Sequence, residues 1–200
     1  MNKTSPLKII LFASAFFYFA LIINTSFIIK GERYFTLVDD AMISMRYAKH
    51  LAQGHGLVWN IGQSPVEGFT NLGWTLYMAF LHILSIPISK ISLVVMLTSL
   101  GILLANIFVV YKISETLLPT SKYAPTLAAL ITAFYFPLIF WSLRGMEVGL
   151  ITLLINYALL ISISKDQPIF VGIILALAIF VRIDAAVSAL LIGSYYITKQ

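Results

Sequence analysis

The first long apolar run, Ile9 to Ile29, decides most of what this chain can become. An uncharged stretch of about 20 residues, wound into a helix, matches the hydrocarbon thickness of a bilayer. The apolar core of a secretory signal is shorter, roughly 7–15 residues, and ends at a small-x-small cleavage site. Lys3 and Lys8 precede this run, but no such site closes it cleanly. The segment therefore reads as an uncleaved anchor with its N-terminus in the cytoplasm.

Further apolar runs point the same way. The 200 residues are 60% hydrophobic and only 10% charged, where a soluble domain carries roughly 25% charged residues. The class this implies is an all-α polytopic integral membrane protein of the cell membrane. Cysteine is absent, which excludes a disulfide framework and a thiolate metal site. The net charge of +5 comes from basic residues standing singly near the ends of apolar runs. That pattern suits membrane flanks and argues against nucleic acid as a partner.

One transmembrane domain, residues 1–200, is expected, with spans at 9–29, 91–111, 124–143, 148–163, 169–181 and 185–197. Pro137 should kink the third. The last two flank Arg182-Ile183-Asp184; one helix through both charges would cost about 2.5–3.5 kcal/mol for each near mid-bilayer. An outer loop, 30–90, should hold interfacial helices at 39–53 and 72–88. The second is short and interrupted by His82 and Pro87. If it does not cross, Lys112, Lys122, Lys165 and Lys199 join Lys3 and Lys8 on the cytoplasmic side, as the positive-inside rule prefers. All four arginines and six of the eight carboxylates then face outward.

The outer loop is the most polar part of the chain. Asp39 and Asp40 open a stretch in which Ala41, Met45, Ala48 and Ala52 recur at helical spacing, before Gly54 and Gly56 end it. Asp39 can cap this helix, and both acids suit the positive end of its dipole. Arg46 and either Lys49 or His50 fall on the same face as Asp39. Spacing alone supports no more than an interfacial helix with solvated charges. In "WNIGQSPVEGFTNLGW", Gly62, Pro65 and Gly68 are turn residues, Trp59, Phe69 and Trp74 suit an aromatic belt, and Glu67 sits between two turns. Tyr34, Tyr47 and Tyr77 read as belt residues too. His50 and His55 lack ligand spacing, so a divalent cation is possible but not indicated.

The run "DDAMISMRYAKHLAQGHGLVWN" followed by "PVEGFTNLGW" resembles the first outer loop of the GT-C superfamily of membrane glycosyltransferases. It is closest to bacterial members of arabinofuranosyltransferase-like and mannosyltransferase-like type. "LRGMEVGL" resembles their G-x-E-x-x-L segment, and "FVRIDAAVSALL" an R-P-E/D-G-type turn without its proline. The likeness runs from Lys8 to Ile197. It implies a GT-C-type transmembrane helix bundle with juxtamembrane helices in the first outer loop. It also implies transfer of a monosaccharide from a polyprenyl-phosphate carrier to a glycan, lipid or protein acceptor on the extracytoplasmic face, with inversion.

By that resemblance Asp39, or else Asp40, is the general base. Glu67 and Glu147 bind sugar hydroxyls or orient the acceptor, and Arg46 and Arg182, beside Asp184, contact the carrier phosphate. Arg144 reads equally as a phosphate ligand or a membrane-edge anchor. Superfamily members usually have more spans and an outer soluble domain, so the chain reads as the N-terminal part of the pattern. Two alternatives stand beside the enzyme: a non-catalytic remnant or partner-dependent subunit, and a transporter subunit, which would place charges inside the spans.

Overall fold

A computed structural model describes residues 4–84, 86–165 and 167–199, with side chains described from Pro6 to Tyr196 apart from Ser85 and Asp166. It is mostly helical: α1 (Thr4–Asn24), a hairpin of β1 (Ser26–Ile29) and β2 (Glu32–Phe35), then α2 (Asp39–Ala52), α3 (Leu72–Ile83) and α4 (Ile88–Leu117). There follow α5 (Ala124–Ala133), α6 (Phe136–Leu143), α7 (Val148–Ser164), α8 (Pro168–Val181), a 3₁₀ turn at Ile183–Ala185, and α9 (Ala186–Lys199).

The hairpin is the strand element in an otherwise helical set of described residues, and it ends the first helix at Asn24 where the sequence expectation carries it to Ile29. Ser26–Phe35 and Ile29–Glu32 are the outer and inner pairs of an antiparallel ladder. Between them Lys30 and Gly31 both have positive φ, 50° and 81°, the geometry of a two-residue primed turn. The "FIIKGERYF" segment carried that signal, a Lys-Gly pair between β-branched and aromatic residues, hidden by the apolar run beside it. The hairpin leans on the start of α4: Ser89 Oγ donates to Glu32 Oε1 at 2.5 Å and Lys90 Nζ to the Arg33 carbonyl at 2.6 Å. The Ser89 bond, foremost, holds the Glu32 carboxyl below the ordinary 4.5.

Among the described residues, two helices are long and apolar enough to cross a membrane, α1 from Pro6 and α4, and the α5–α6 pair makes a third if it counts as one bent span. This is fewer than the six expected. The remaining apolar helices are shorter: α7 has 17 residues, and α8 and α9 have 14 each. The expected 72–88 segment is helical only to Ile83, with Pro87 serving as N-cap of α4. The expected kink falls where α5 and α6 meet at 47°. Phe134 and Tyr135 leave the helix there, and Pro137 sits in the first turn of α6, where its missing N–H costs no hydrogen bond.

The helices alternate in direction between two ends. Pro6 of α1 lies with Tyr111 and Glu115 of α4 and with Lys122 and Pro125 around the α4–α5 turn. At the opposite end the hairpin after α1 meets the start of α4, and the backbone N–H of Val38 donates to the Arg144 carbonyl between α6 and α7. Tyr18 in α1 donates its hydroxyl to the Ala133 carbonyl at 2.7 Å, where α5 ends and its carbonyl has no helical partner. The main core joins α1 to α6 through Tyr18, Ile22, Val95, Met96, Leu103 and Ile107, all buried. A smaller one, including Ala158, Val171 and Ile174, knits α7, α8 and α9.

α2 and α3 do not enter this alternation. They pack on each other and cover the hairpin end of the bundle. Gly73 lets α3 touch α8, since a Cβ there would stand 2.9 Å from the Val181 Cα. Gly145 has φ +94°, and a Cβ there would meet Leu37 at 2.9 Å. A cysteine at Gly145 would therefore be strained, so exposed Ile61 and Thr120 are better probes of the two ends. In intact cells, Ile61→Cys is expected to react with an impermeant maleimide and Thr120→Cys only after permeabilisation. Labelling of both from one side would contradict the arrangement.

Candidate functional site at the covered end of the bundle

The site is built around one buried carboxylate. Glu147 is fully buried at the start of α7, where the helix dipole favours negative charge. Its Oε1 accepts from Arg182 Nη1 at 2.8 Å, and its Oε2 from Asn71 Nδ2 at 2.7 Å. Arg182 Nε also reaches Asp184 Oδ2 at 2.9 Å. The Glu147 hydrogen bond, foremost, holds the Arg182 guanidinium above the ordinary guanidinium pKa, against the opposing effect of partial burial. Arg182 is the residue after α8, in extended backbone, and hydrogen-bonds Glu147 because the chain turns there.

Asn71 was not singled out from sequence, and it joins three elements. Its Oδ1 accepts from Ser44 Oγ of α2 at 2.9 Å and Thr75 Oγ1 of α3 at 3.1 Å, while its amide donates to Glu147. A side-chain amide presents an acceptor and a donor side by side, as this junction requires. The signal was available: Asn71 is the asparagine of "GFTNLGW". Trp74 from the same segment is not a belt residue. It is buried, and its Nε1 donates to the Gly145 carbonyl at 2.7 Å. Tyr47 likewise leaves the belt for the interior. Its hydroxyl donates to the Val66 carbonyl at 2.7 Å, with its ring against Phe69 and Trp59.

Two cavities open around Asp40. One, of about 260 Å³, is lined by Asp40, Ser44, Thr70, Asn71, Glu147 and Arg182 among others. The other, of about 460 Å³, is lined by Asp39, Asp40, Trp141 and Arg144 with Leu37, Val38 and Phe140. Both acids are exposed in the first turn of α2. Asp39 does not cap the helix; Val38 holds the N-cap position and no side chain bonds there. Asp40 is common to both cavities, whereas Asp39 lines only the one with Arg144.

The structure thus brings Asp40 together with Glu147 and Arg182 at one cavity and with Asp39 and Arg144 at the other, holds Asp184 on Arg182, and adds Asn71. It does not bring Arg46 to them. The Arg46 guanidinium donates to the Trp59 carbonyl and Asn60 Oδ1, both at 2.8 Å, and stacks on the Trp59 ring at 4.3 Å. It pins the loop after α2 and lines a separate cavity. Glu67 is exposed on that loop and lines neither cavity at Asp40. Among the described residues, no three or more His, Asp or Glu side chains gather as a metal site. Comparison with family profiles, characterised proteins and solved structures finds no match to this chain.

Removing the carboxylate in Glu147→Ala would leave the Asn71 Nδ2 donor without its acceptor and Arg182 with Asp184 alone. A loss of about 2–4 kcal/mol is expected, because a buried charge partner is removed. Asp184 is 61% exposed, so Asp184→Asn should change stability by less than about 1 kcal/mol. Thermal unfolding in a fixed neutral detergent checks both.

Proposed function

We propose that the chain is a membrane glycosyltransferase of the GT-C type, moving a monosaccharide from a polyprenyl-phosphate carrier to an extracytoplasmic acceptor. The observation that carries the reading is the shared position of Asp40: one exposed carboxylate borders a space walled by Glu147 and Arg182 and another walled by Arg144. A transferase of this kind needs a carboxylate within reach of the acceptor hydroxyl and a cation for the leaving phosphate. The motif likeness of the outer loop supports the same assignment, as does the clustering of the acids and arginines at one end of the bundle.

The chemistry runs on this chain's own side chains. An acceptor hydroxyl is a weak nucleophile near neutral pH, and a carboxylate within hydrogen-bond reach takes its proton as the new bond forms. Asp40 fills that role, with Asp39 beside it in the same helical turn. The acceptor oxygen bonds the anomeric carbon as the bond from that carbon to the carrier phosphate oxygen breaks. The electron pair leaves with the phosphate, so no acid is needed. Attack opposite the leaving group inverts the anomeric centre. The transition state is oxocarbenium-like, and the neighbouring carboxylates stabilise its positive charge.

Arg144, which the sequence left open between phosphate ligand and membrane-edge anchor, takes the phosphate contact that the resemblance gave to Arg46 and Arg182. Its guanidinium is half-buried, has a single long hydrogen bond to the Thr36 carbonyl at 3.5 Å, and lines the cavity with both acids. A planar, permanently charged fork suits phosphate oxygens. Arg182 is committed to Glu147 and Asp184, so it positions the cavity wall. Glu147 accepts from two donors and orients Asn71 toward the same space. On this reading the anchor α1 enters from the cytoplasm and α2 and α3 lie at the outer surface of the plasma membrane.

The test is transfer from a radiolabelled polyprenyl-phosphate sugar in membranes containing the chain. Asp40→Asn is expected to lower turnover by at least about 100-fold, the scale of a lost general base, with insertion intact. Glu67→Gln should leave it within about threefold. Undiminished transfer by Asp40→Asn removes it from the base role. Absence of transfer by the unaltered chain across polyprenyl-phosphate pentoses and hexoses overturns the enzyme reading.

A further inference from the structure

A third cavity, of about 440 Å³, lies between α2, α3 and the start of α4 and has no part in the proposed transfer. Four basic side chains line it: Arg46, Lys49 and His50 from α2 and His82 from α3. No carboxylate is among its lining residues. Arg46 is held in place by Trp59 and Asn60, and it keeps an Nη1 group with no protein acceptor among the bonds of the described residues. Lys49 is exposed and forms no ion pair with any described residue. His50 Nδ1 lies 2.8 Å from the Val58 carbonyl, which fixes the orientation of its ring. Burial, foremost, and then the Lys49 charge hold His82 below the ordinary 6.5, so Arg46 and Lys49 supply the fixed charge.

The rest of the cavity is apolar. Its floor includes buried Ile91, and its mouth is flanked by Met42 and Ile88, which are 48% and 72% exposed. A bare inorganic anion would use the basic groups and gain nothing from this surface. A phosphate carrying a hydrocarbon tail uses both. Charged groups of one sign, uncompensated beside exposed apolar side chains, are the pattern that attracts anionic lipid.

We propose that this cavity is a binding site for the phosphate of an anionic amphiphile, its headgroup held by Arg46 and Lys49 and its tail laid over Met42 and Ile88. The occupant it fits is a bilayer phospholipid with an accessible phosphate, held between the cap and the bundle. Both fixed cations stand on α2, while the opposite wall belongs to α3 and α4. An occupant therefore ties the amphipathic helix to the first turn of the long span. The proposal does not depend on the sugar-transfer reading.

Native mass spectrometry of the full chain, released from a neutral detergent, tests it. The probes are dioctanoyl phosphatidic acid, the neutral dioctanoylglycerol, and inorganic phosphate. Phosphatidic acid is expected to give one saturable adduct at concentrations where the other two give none. Lys49→Glu should weaken that adduct about tenfold, and Met42→Asp should weaken it as well. Arg144→Gln should leave it unchanged. Equal retention of inorganic phosphate would make it a simple anion site and overturn the amphiphile. Retention by Lys49→Glu at the original affinity, or loss in Arg144→Gln, would overturn the location. Lys49 is exposed and forms no ion pair with any described residue, so its substitution does not endanger folding.

Discussion

The buried carboxylate of Glu147 is the constraint on which the covered end of this molecule depends. A charge with no exposed surface is tolerated only where donors converge on it, and two do. Arg182 comes from the turn after α8, and Asn71 from the residue before α3. Asn71 then passes the connection to α2 through Ser44. One carboxylate thereby fixes where the surface helices sit on the bundle, and so where Asp39 and Asp40 lie relative to Arg144. The Trp74–Gly145 hydrogen bond and the close approach of Gly73 to Val181 act on the same junction.

A direct consequence is a separation of tasks among the arginines. Arg182 is saturated by Glu147 and Asp184 and serves as wall. Arg46 is saturated by the loop carbonyl, Asn60 and the Trp59 ring on one flank, and offers its free edge to the basic cavity. Arg144 lacks a strong partner and stands beside the two exposed acids. Exposure and free bonding capacity sort these residues better than residue type does. The same criterion moves emphasis from Asp39 to Asp40, which borders both cavities.

Much of the helical framework was legible. The bounds of α2 differ from expectation by one residue, and those of α7 and α8 by no more than one, because apolar periodicity and abrupt polar or proline edges mark helix ends. The hairpin was not, since Phe27, Ile28 and Ile29 are as apolar as the span they follow, and only the Lys-Gly pair marks the turn. The last two segments have about the lengths expected, but at 14 residues each they fall below the length that crosses a bilayer as a single straight helix. At the site, acids and arginines were found by type and order, but their pairing needed three dimensions. Asn71 lies 76 positions from Glu147, and no local pattern announces such a bond. Trp74 and Tyr47 were read as belt residues because an aromatic near an interface and an aromatic under a cap look alike in sequence.

Hydrogen exchange of the intact chain in a neutral detergent, compared with its Glu147→Gln variant, probes the central claim. An amide at this position keeps the volume and gives up the charge that holds Arg182. If Glu147 docks the cap, amides of Leu72–Ile83 and of the 183–185 turn should exchange at least about tenfold faster in the variant, a loss of roughly 1.4 kcal/mol in local opening. Those in the middle of α4 should not change. Unaltered protection across Leu72–Ile83 would mean that the surface helices are held by their apolar contacts alone, and that the carboxylate does not organise the site.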